Sequence, residues 1–194
     1  MTINKQKLVQ EFIKTVKVPY KNPRKQMIIA PIGVVASGKT TTMKILKELL
    51  PVIYLNTDEA RVFLRKKKLW NKIAAWELMN PAVEHFLKLN KSLIVDGDFV
   101  DWRTRRQPLE KLAKKFKTAV YYINITAPED FIIRKLINKK WSKSGLFKDS
   151  AVGVREYFRR KPLHQKKLNI KFTGTVDTSK PIKPQILKII PKIK

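Results

Sequence analysis

The chain alternates between short, almost wholly apolar runs and longer stretches in which apolar residues return every three or four positions. Residues 1–25 open with an amphipathic helix, Leu8, Phe12, Ile13 and Val16 falling at helical spacing, and close on the breaker VPYKNPRK. The run QMIIAPIG reads as a buried parallel strand, because a strand covered on both faces is apolar throughout. Residues 39–50 then form a helix stopped by Pro51, 52–58 (VIYLNTD) a second strand, and 59–69 a basic helix. A further helical stretch covers 72–90, with Pro81 marking a break or a fresh first turn. SLIVDGD (92–98) is a third strand ending in carboxylates, 104–117 a helix, and 119–126 a fourth strand. Pro128, Glu129 and Asp130 suit the first turn of the next helix. The region 140–168 is polar and basic with no clear strand, 169–179 is a fifth strand, and PIKPQILKIIPKI a terminal helix. Five alternations of strand and helix, with no repeat or linker, predict a single domain of three-layer α/β class with a five-stranded parallel sheet.

A chain of 194 residues with 43% apolar content can bury a substantial core. It has no apolar run long enough to cross a bilayer, and its first residues lack the pattern of a signal peptide, so a cytoplasmic location with no membrane partner is expected. With no cysteine and two histidines, His85 and His164, thiol chemistry is excluded and a histidine-centred site is not expected. Against 15 acidic side chains stand 43 basic ones, 33 Lys and 10 Arg, for a formal net charge of +28. Such a surface attracts polyanions, which points to a nucleic-acid substrate or partner. The excess of Lys over Arg also fits a merely compositional bias, since phosphate clamps favour Arg.

Between the first strand and its helix lies Gly33-Val34-Val35-Ala36-Ser37-Gly38-Lys39-Thr40-Thr41. This is the Gly-x-x-x-x-Gly-Lys-Thr phosphate-binding loop in its required strand-to-helix context. Gly33 and Gly38 permit close backbone approach, and the loop from Gly33 through Ala36, Ser37 and Gly38 to Thr41 is expected to wrap the phosphates of ATP. Lys39 would reach the β- and γ-phosphates, and Thr40 would place its hydroxyl on Mg²⁺. The chain lacks the guanine-reading Asn/Thr-Lys-x-Asp segment of GTPases and the LSGGQ signature of ABC ATPases, and it leaves little room for the helical lid domain of AAA+ machines. A compact kinase layout remains.

Three further groups extend the site. Asp58, at the end of the second strand, is placed to take the proton of an acceptor hydroxyl, or else to cap the following helix. Arg61, three residues on, reaches the same side and can hold an acceptor phosphate or the transferring phosphoryl group. Asp96 ends the third strand as the second group for the metal, with Asp98 on the same strand face orienting Lys39 or the acceptor, or merely solvated.

Together, GVVASGKTTT, LNTDEARVFL, LIVDGDFVDWRTRR, INITAPEDFIIRKL and VDTS resemble the P-loop kinases around bacteriophage polynucleotide kinase and the zeta-toxin-like kinases, over roughly residues 26–180. The resemblance implies that Asp58 activates the acceptor, that Arg61 contacts it, and that Arg134 belongs to a lid over the ATP phosphates. It also implies that Val176-Asp177-Thr178 lies near the adenine and that the lid occupies about 139–160. There Lys139, Lys140, Arg155, Arg159 and Arg160 are basic candidates without assignable register. The family often carries a small hydroxyl residue where Asp98 stands. Basic residues also gather around Trp102 (Arg103, Arg105, Arg106) and from Arg159 to Lys171, with no acid between Glu156 and Asp177. The leading expectation is an ATP-dependent kinase of a hydroxyl, best the 5′-OH of a nucleic acid. A small-molecule kinase and a non-kinase nucleotide-binding module are the alternatives.

Overall fold

The computed structural model describes residues 4–21, 23–138, 149–165 and 169–193. Five strands, β1 (Met27–Ile32), β2 (Ile53–Asn56), β3 (Leu93–Asp96), β4 (Ala119–Thr126) and β5 (Phe172–Asp177), form one sheet in the order β2-β3-β1-β4-β5. Every pairing is parallel. Alternate residues of β1 serve opposite faces, as the two-residue period of a strand requires. Ile28, Ala30 and Ile32 join Leu55, Leu93 and Val95 in a core roofed by α1 (Lys5–Lys14), α3 (Thr57–Lys66), α4 (Ala75–Lys88) and α5 (Gln107–Lys115). Met27 and Ile29 join Tyr54, Ile94, Ile125 and Val176 beneath α2 (Lys39–Leu49) and α8 (Ile182–Ile189). The three-layer parallel architecture expected from the apolar runs is therefore present.

The N-terminal extension is one helix, capped by the Asn4 side chain, which accepts from the Lys7 amide at 3.0 Å. Its apolar face (Leu8, Val9, Phe12, Ile13) is buried in the first core. Two more helices complete the chain, α6 (Glu129–Asn138) and α7 (Ser150–Gln165).

Several boundaries differ from the expectation. Strand β2 stops at Asn56, not Asp58, because the Asn56 side chain accepts from the Asp58 and Glu59 amides and starts α3 there. Strand β3 stops at Asp96, so Asp98 lies in the following loop and not on the strand face. Residues 102–106 form a π-helical turn ahead of α5, in which the Arg106 amide donates to the Asp101 carbonyl. Residues 150–160, expected within a lid, belong to the packed helix α7, while the remainder of that stretch from 139 to 148 lies outside the described residues. The C-terminal basic segment is ordered as α8 and a 3-10 turn, Ile190–Lys192.

Pro31 sits inside the central strand, where a missing N–H is normally excluded. Here β1 pairs with β3 only at Ile28 and Ile29, and the ladder does not continue to Val95 and Asp96. The β1–β3 ladder ends before Pro31, near the C-terminal ends of the strands, where α/β folds hold ligands in a crevice.

Candidate active site

The phosphate loop leaves β1 at that crevice. A Cβ on Gly33 would stand 2.3 Å from the Ile125 carbonyl oxygen, so no side chain fits. Gly38 has φ +94°, and a Cβ there would meet Thr178 at 2.8 Å. Gly38 is also the N-cap of α2, which has no capping side chain and no acid in its first turn. The first-turn amides, those of Lys39, Thr40 and Thr41 among them, thus suit an anion at the positive end of the helix. Val34, Val35 and Ala36 pack against Ile132 and Leu136 of α6 and Tyr157 of α7, so these helices seat directly on the loop. Ser37 is fully buried, and its hydroxyl has no hydrogen-bond partner among the described residues. Lys39 folds back, its Nζ donating to the carbonyls of Gly33 at 2.7 Å and Val34 at 2.8 Å. Burial pushes its pKa down, against the charges of Asp98 and Asp96.

The register of β2 on β3 sets Asn56 beside Asp96. Asp96 Oδ2 accepts from the Tyr54 hydroxyl at 2.6 Å and from Asn56 Nδ2 at 2.7 Å. Burial raises the Asp96 pKa, while hydrogen bonds from Tyr54 and Thr40 and the charge of Lys39 oppose the shift. Thr40, Lys39 and Asp96 are thus one cluster. A hydroxyl and a single fixed carboxylate suit Mg²⁺, which takes few protein ligands and completes its shell with phosphate and water. Among the described residues, no three acidic or imidazole groups gather as a preformed cage for a metal.

Asp58 stands on the first turn of α3. Asn56 does the capping, so the Asp58 carboxylate is left for other work, and it pairs with Arg61 on the same side of the helix. Asp98 accepts from Arg160 Nη1 at 2.5 Å and from the Val100 amide at 3.2 Å. Arg160, on α7, also donates to Glu156, whose carboxyl is held down at about 2 by hydrogen bonds from Arg159 and Arg160. His164, one turn further along α7, brings Nε2 to 3.9 Å from Asp98. It lines a cavity of about 370 Å³ with Gly33, Val34, Asn124, Thr126 and Lys161.

The His164 side chain is 7% exposed and its Nε2 has no hydrogen-bond partner among the described residues. Burial, with Lys39 and Arg160, outweighs Asp98 and pushes its pKa down to about 4. The unfolded chain, whose His titrates near 6.5, therefore binds more protons than the folded one between these values, and stability falls as pH drops through that window. Denaturant midpoints at pH 7 and pH 4 should show a loss of ~2–3 kcal/mol that is absent in His164→Asn. An equal loss in the variant would place the effect elsewhere.

The structure thus brings Lys39, Thr40, Asp96, Asp58 and Arg61 to the ends of neighbouring strands, and adds Asp98, Arg160 and His164. Sequence reasoning left Arg160 without a register and did not expect a histidine at the site. Arg134 is on α6 with its side chain 70% exposed, and its partner is Asp130 at 2.5 Å, not a group of this cluster. Asp177 ends β5 and accepts from the Ser179 amide and hydroxyl. Its neighbour Thr178 makes the link to the loop, donating to the Ser37 carbonyl at 2.6 Å. Lys139 and Lys140 lie outside the described residues.

Among the described residues, no helix is long and apolar enough to cross a membrane. No curated protein matches the chain significantly in sequence. Solved structures do. A provisionally assigned kinase from Chloroflexus aurantiacus superposes with a TM-score of 0.65 at 16% identity, over 88% of this chain and 100% of that one. A gluconokinase from Sinorhizobium meliloti gives 0.56 at 15% identity, covering 88% and 93%. The APS kinase CysC from Mycobacterium tuberculosis gives 0.52 at 12% identity, covering 88% and 98%. At these identities the likeness is one of fold. The profile of the AAA domain family AAA_33 matches residues 28–152, more than half of the sequence. The chain belongs to that family and is built as a P-loop kinase.

Proposed function

We propose that this chain transfers the γ-phosphoryl group of ATP to a hydroxyl of a small-molecule acceptor. The observation that carries this reading is the meeting of two half-sites: Lys39, Thr40 and Asp96 beside the open end of α2, and Asp58 with Arg61 at the next strand end. Phosphates at the α2 N-terminus would draw Lys39 off the Gly33 and Val34 carbonyls. Mg²⁺, held by Thr40 and through Asp96, would supply neutralisation of the phosphate oxygens. The Asp58 carboxylate takes the acceptor hydroxyl's proton, the freed oxygen forms a bond to the γ-phosphorus, and the bond to the ADP oxygen breaks. Arg61 is placed to hold the acceptor or the charge on the moving group. Asp177 and Thr178 at the end of β5 would border the nucleotide, and Arg134 would reach it only by leaving Asp130.

Radiolabelled ATP with a panel of hydroxyl compounds tests the reading directly. Transfer to at least one of them is expected, and ATP hydrolysis unaffected by any acceptor would overturn it.

The net charge of +28 favours a second reading, phosphorylation of a nucleic-acid 5′-OH. Against it, the exposed lysines are spread over both faces of the sheet: Lys44 and Lys47 on α2, Lys111 and Lys114 on α5, Lys183 and Lys188 on α8. The structural neighbours named above as a gluconokinase and an APS kinase are also not nucleic-acid enzymes by name. The two readings separate by salt. A strand held through several phosphates should lose affinity with a log–log slope of about −0.7 per contact. We expect weak oligonucleotide binding and no 5′-phosphorylation. A steep slope together with labelled oligonucleotide would establish the second reading.

A further inference from the structure

Near Asp98 stands a cation that has no ion-pair partner among the described residues. The π-helical turn Trp102–Arg106 presents Arg105, whose guanidinium lies over the Trp76 ring at 4.8 Å. Among the described residues no carboxylate stands within ion-pair distance of it. π-helical turns are uncommon and are often found at functional positions.

The placement of Arg105 is fixed by packing. Trp76 is buried, meets Phe99 edge-on at 5.3 Å, and presses on Gly97, where a Cβ would lie 2.7 Å from the ring and 3.2 Å from the Thr57 methyl. Gly97 and Thr57 are the chain neighbours of Asp98 and Asp58, so the ring under Arg105 packs beside the residues that carry both carboxylates. Arg61 arises from one of them and Arg160 binds the other. Arg61 and Arg160 both lie near enough for their charges to act on Arg105. Arg105 is held below its ordinary pKa by burial first, and then by the charge of Arg61, with Arg160 adding to it against Asp98 and Asp101. This crowding of like charges costs the free protein energy, which an anion between the arginines would recover.

We propose, building on the phosphotransfer reading above, that the acceptor carries a phosphate-monoester group and that Arg105 is the fixed element of its binding subsite, flanked by Arg61 and Arg160. A dianion suits this better than a carboxylate. Among the described residues Arg105 has no ion-pair partner, while Arg61 and Arg160 are each already partly neutralised, so the second negative charge draws on that pair. The planar fork of Arg105, set by stacking on Trp76, presents two parallel N–H donors to two phosphate oxygens. The hydroxyl to be phosphorylated would belong to the same small molecule, on the side facing Asp58.

The test uses the full chain with Mg²⁺ and AMPPNP, which fills the phosphate loop so that added phosphate cannot bind there. AMPPNP binding is measured first by calorimetry, and its absence would defeat the kinase reading itself. Given that binding, inorganic phosphate should bind to the AMPPNP complex and acetate should not. Arg105→Gln should weaken phosphate about 10–100-fold and leave AMPPNP affinity unchanged. Arg105→Lys, which keeps the charge and stem but loses the fork, should fall between the two, and Lys111→Gln on the exposed face of α5 should match wild type. In turnover, phosphorylated hydroxyl compounds should exceed their dephosphorylated counterparts in kcat/KM by about 100-fold, and Arg105→Gln should erase that preference chiefly through KM. Phosphate binding no tighter than acetate, or wild-type phosphate affinity in both Arg105 variants, would overturn the proposal while leaving the ATP site intact. So would a preference for oligonucleotides over phosphorylated small molecules.

Discussion

Lys39→Met should lower the phosphoryl-transfer rate about 10³-fold. Methionine retains most of the aliphatic stem, so the packing around the loop is largely kept while the charge is removed. In the free protein the Lys39 ammonium donates to the Gly33 and Val34 carbonyls and is favoured by the charges of Asp98 and Asp96, but its burial is unfavourable. Removing a buried cation offsets the two carbonyls left without a donor, and the thermal midpoint should move by only a few degrees. Transfer is a different matter. On the proposed mechanism charge builds on the γ-phosphoryl oxygens, where one preorganised cation is worth several kcal/mol. Single-turnover assays with radiolabelled ATP, beside calorimetric titration with AMPPNP, separate the two effects. A variant that binds and transfers normally would show that Lys39 is not the donor-side cation.

Asp58→Asn should reduce kcat by ~10²–10⁴ and leave AMPPNP affinity within a few-fold of wild type. Asn56 supplies the helix cap, so the substitution should not loosen α3. What it removes is the proposed proton acceptor and the ionic partner of Arg61. That pair is partly exposed, and its loss alone should cost less than about 1 kcal/mol in stability. Thermal melts should therefore nearly superimpose while transfer collapses. Full transfer by this variant would remove Asp58 from the base's role, and Asp98 would be the next group to test.

The sheet was readable because β1 to β4 fall in largely apolar runs, and the loop because its glycines and lysine have fixed spacing. Strand ends were not, since they depend on one side chain turning back on the backbone. Asn56 ends β2 two residues before the apparent boundary, and nothing in VIYLNTD signals that it caps in preference to Asp58. Helix α7 escaped notice because its apolar residues do not form one stripe and few of its positions, such as Gly153 and Tyr157, are buried. With the helix unread, Arg160 could not be aimed at Asp98, 62 residues earlier. His164 was unreadable for the same reason, because a lone imidazole acquires its role only from the carboxylate and lysine that tertiary packing brings near. Arg105 lay in plain view among basic neighbours, but only its stacking on Trp76 distinguishes it from Arg103, which is exposed.

The hydrogen bond from Thr178 to Ser37 spans 141 positions of chain and lands on the loop that grips the phosphates. The curve of that loop is therefore finished by a residue well past the end of the family match at 152. A fragment cut to the matched segment would keep every residue of the glycine motif and lose the clasp that shapes it. For anyone engineering this domain, the boundary to respect is the last strand and its following turn, which brace the loop, not the motif that first draws the eye.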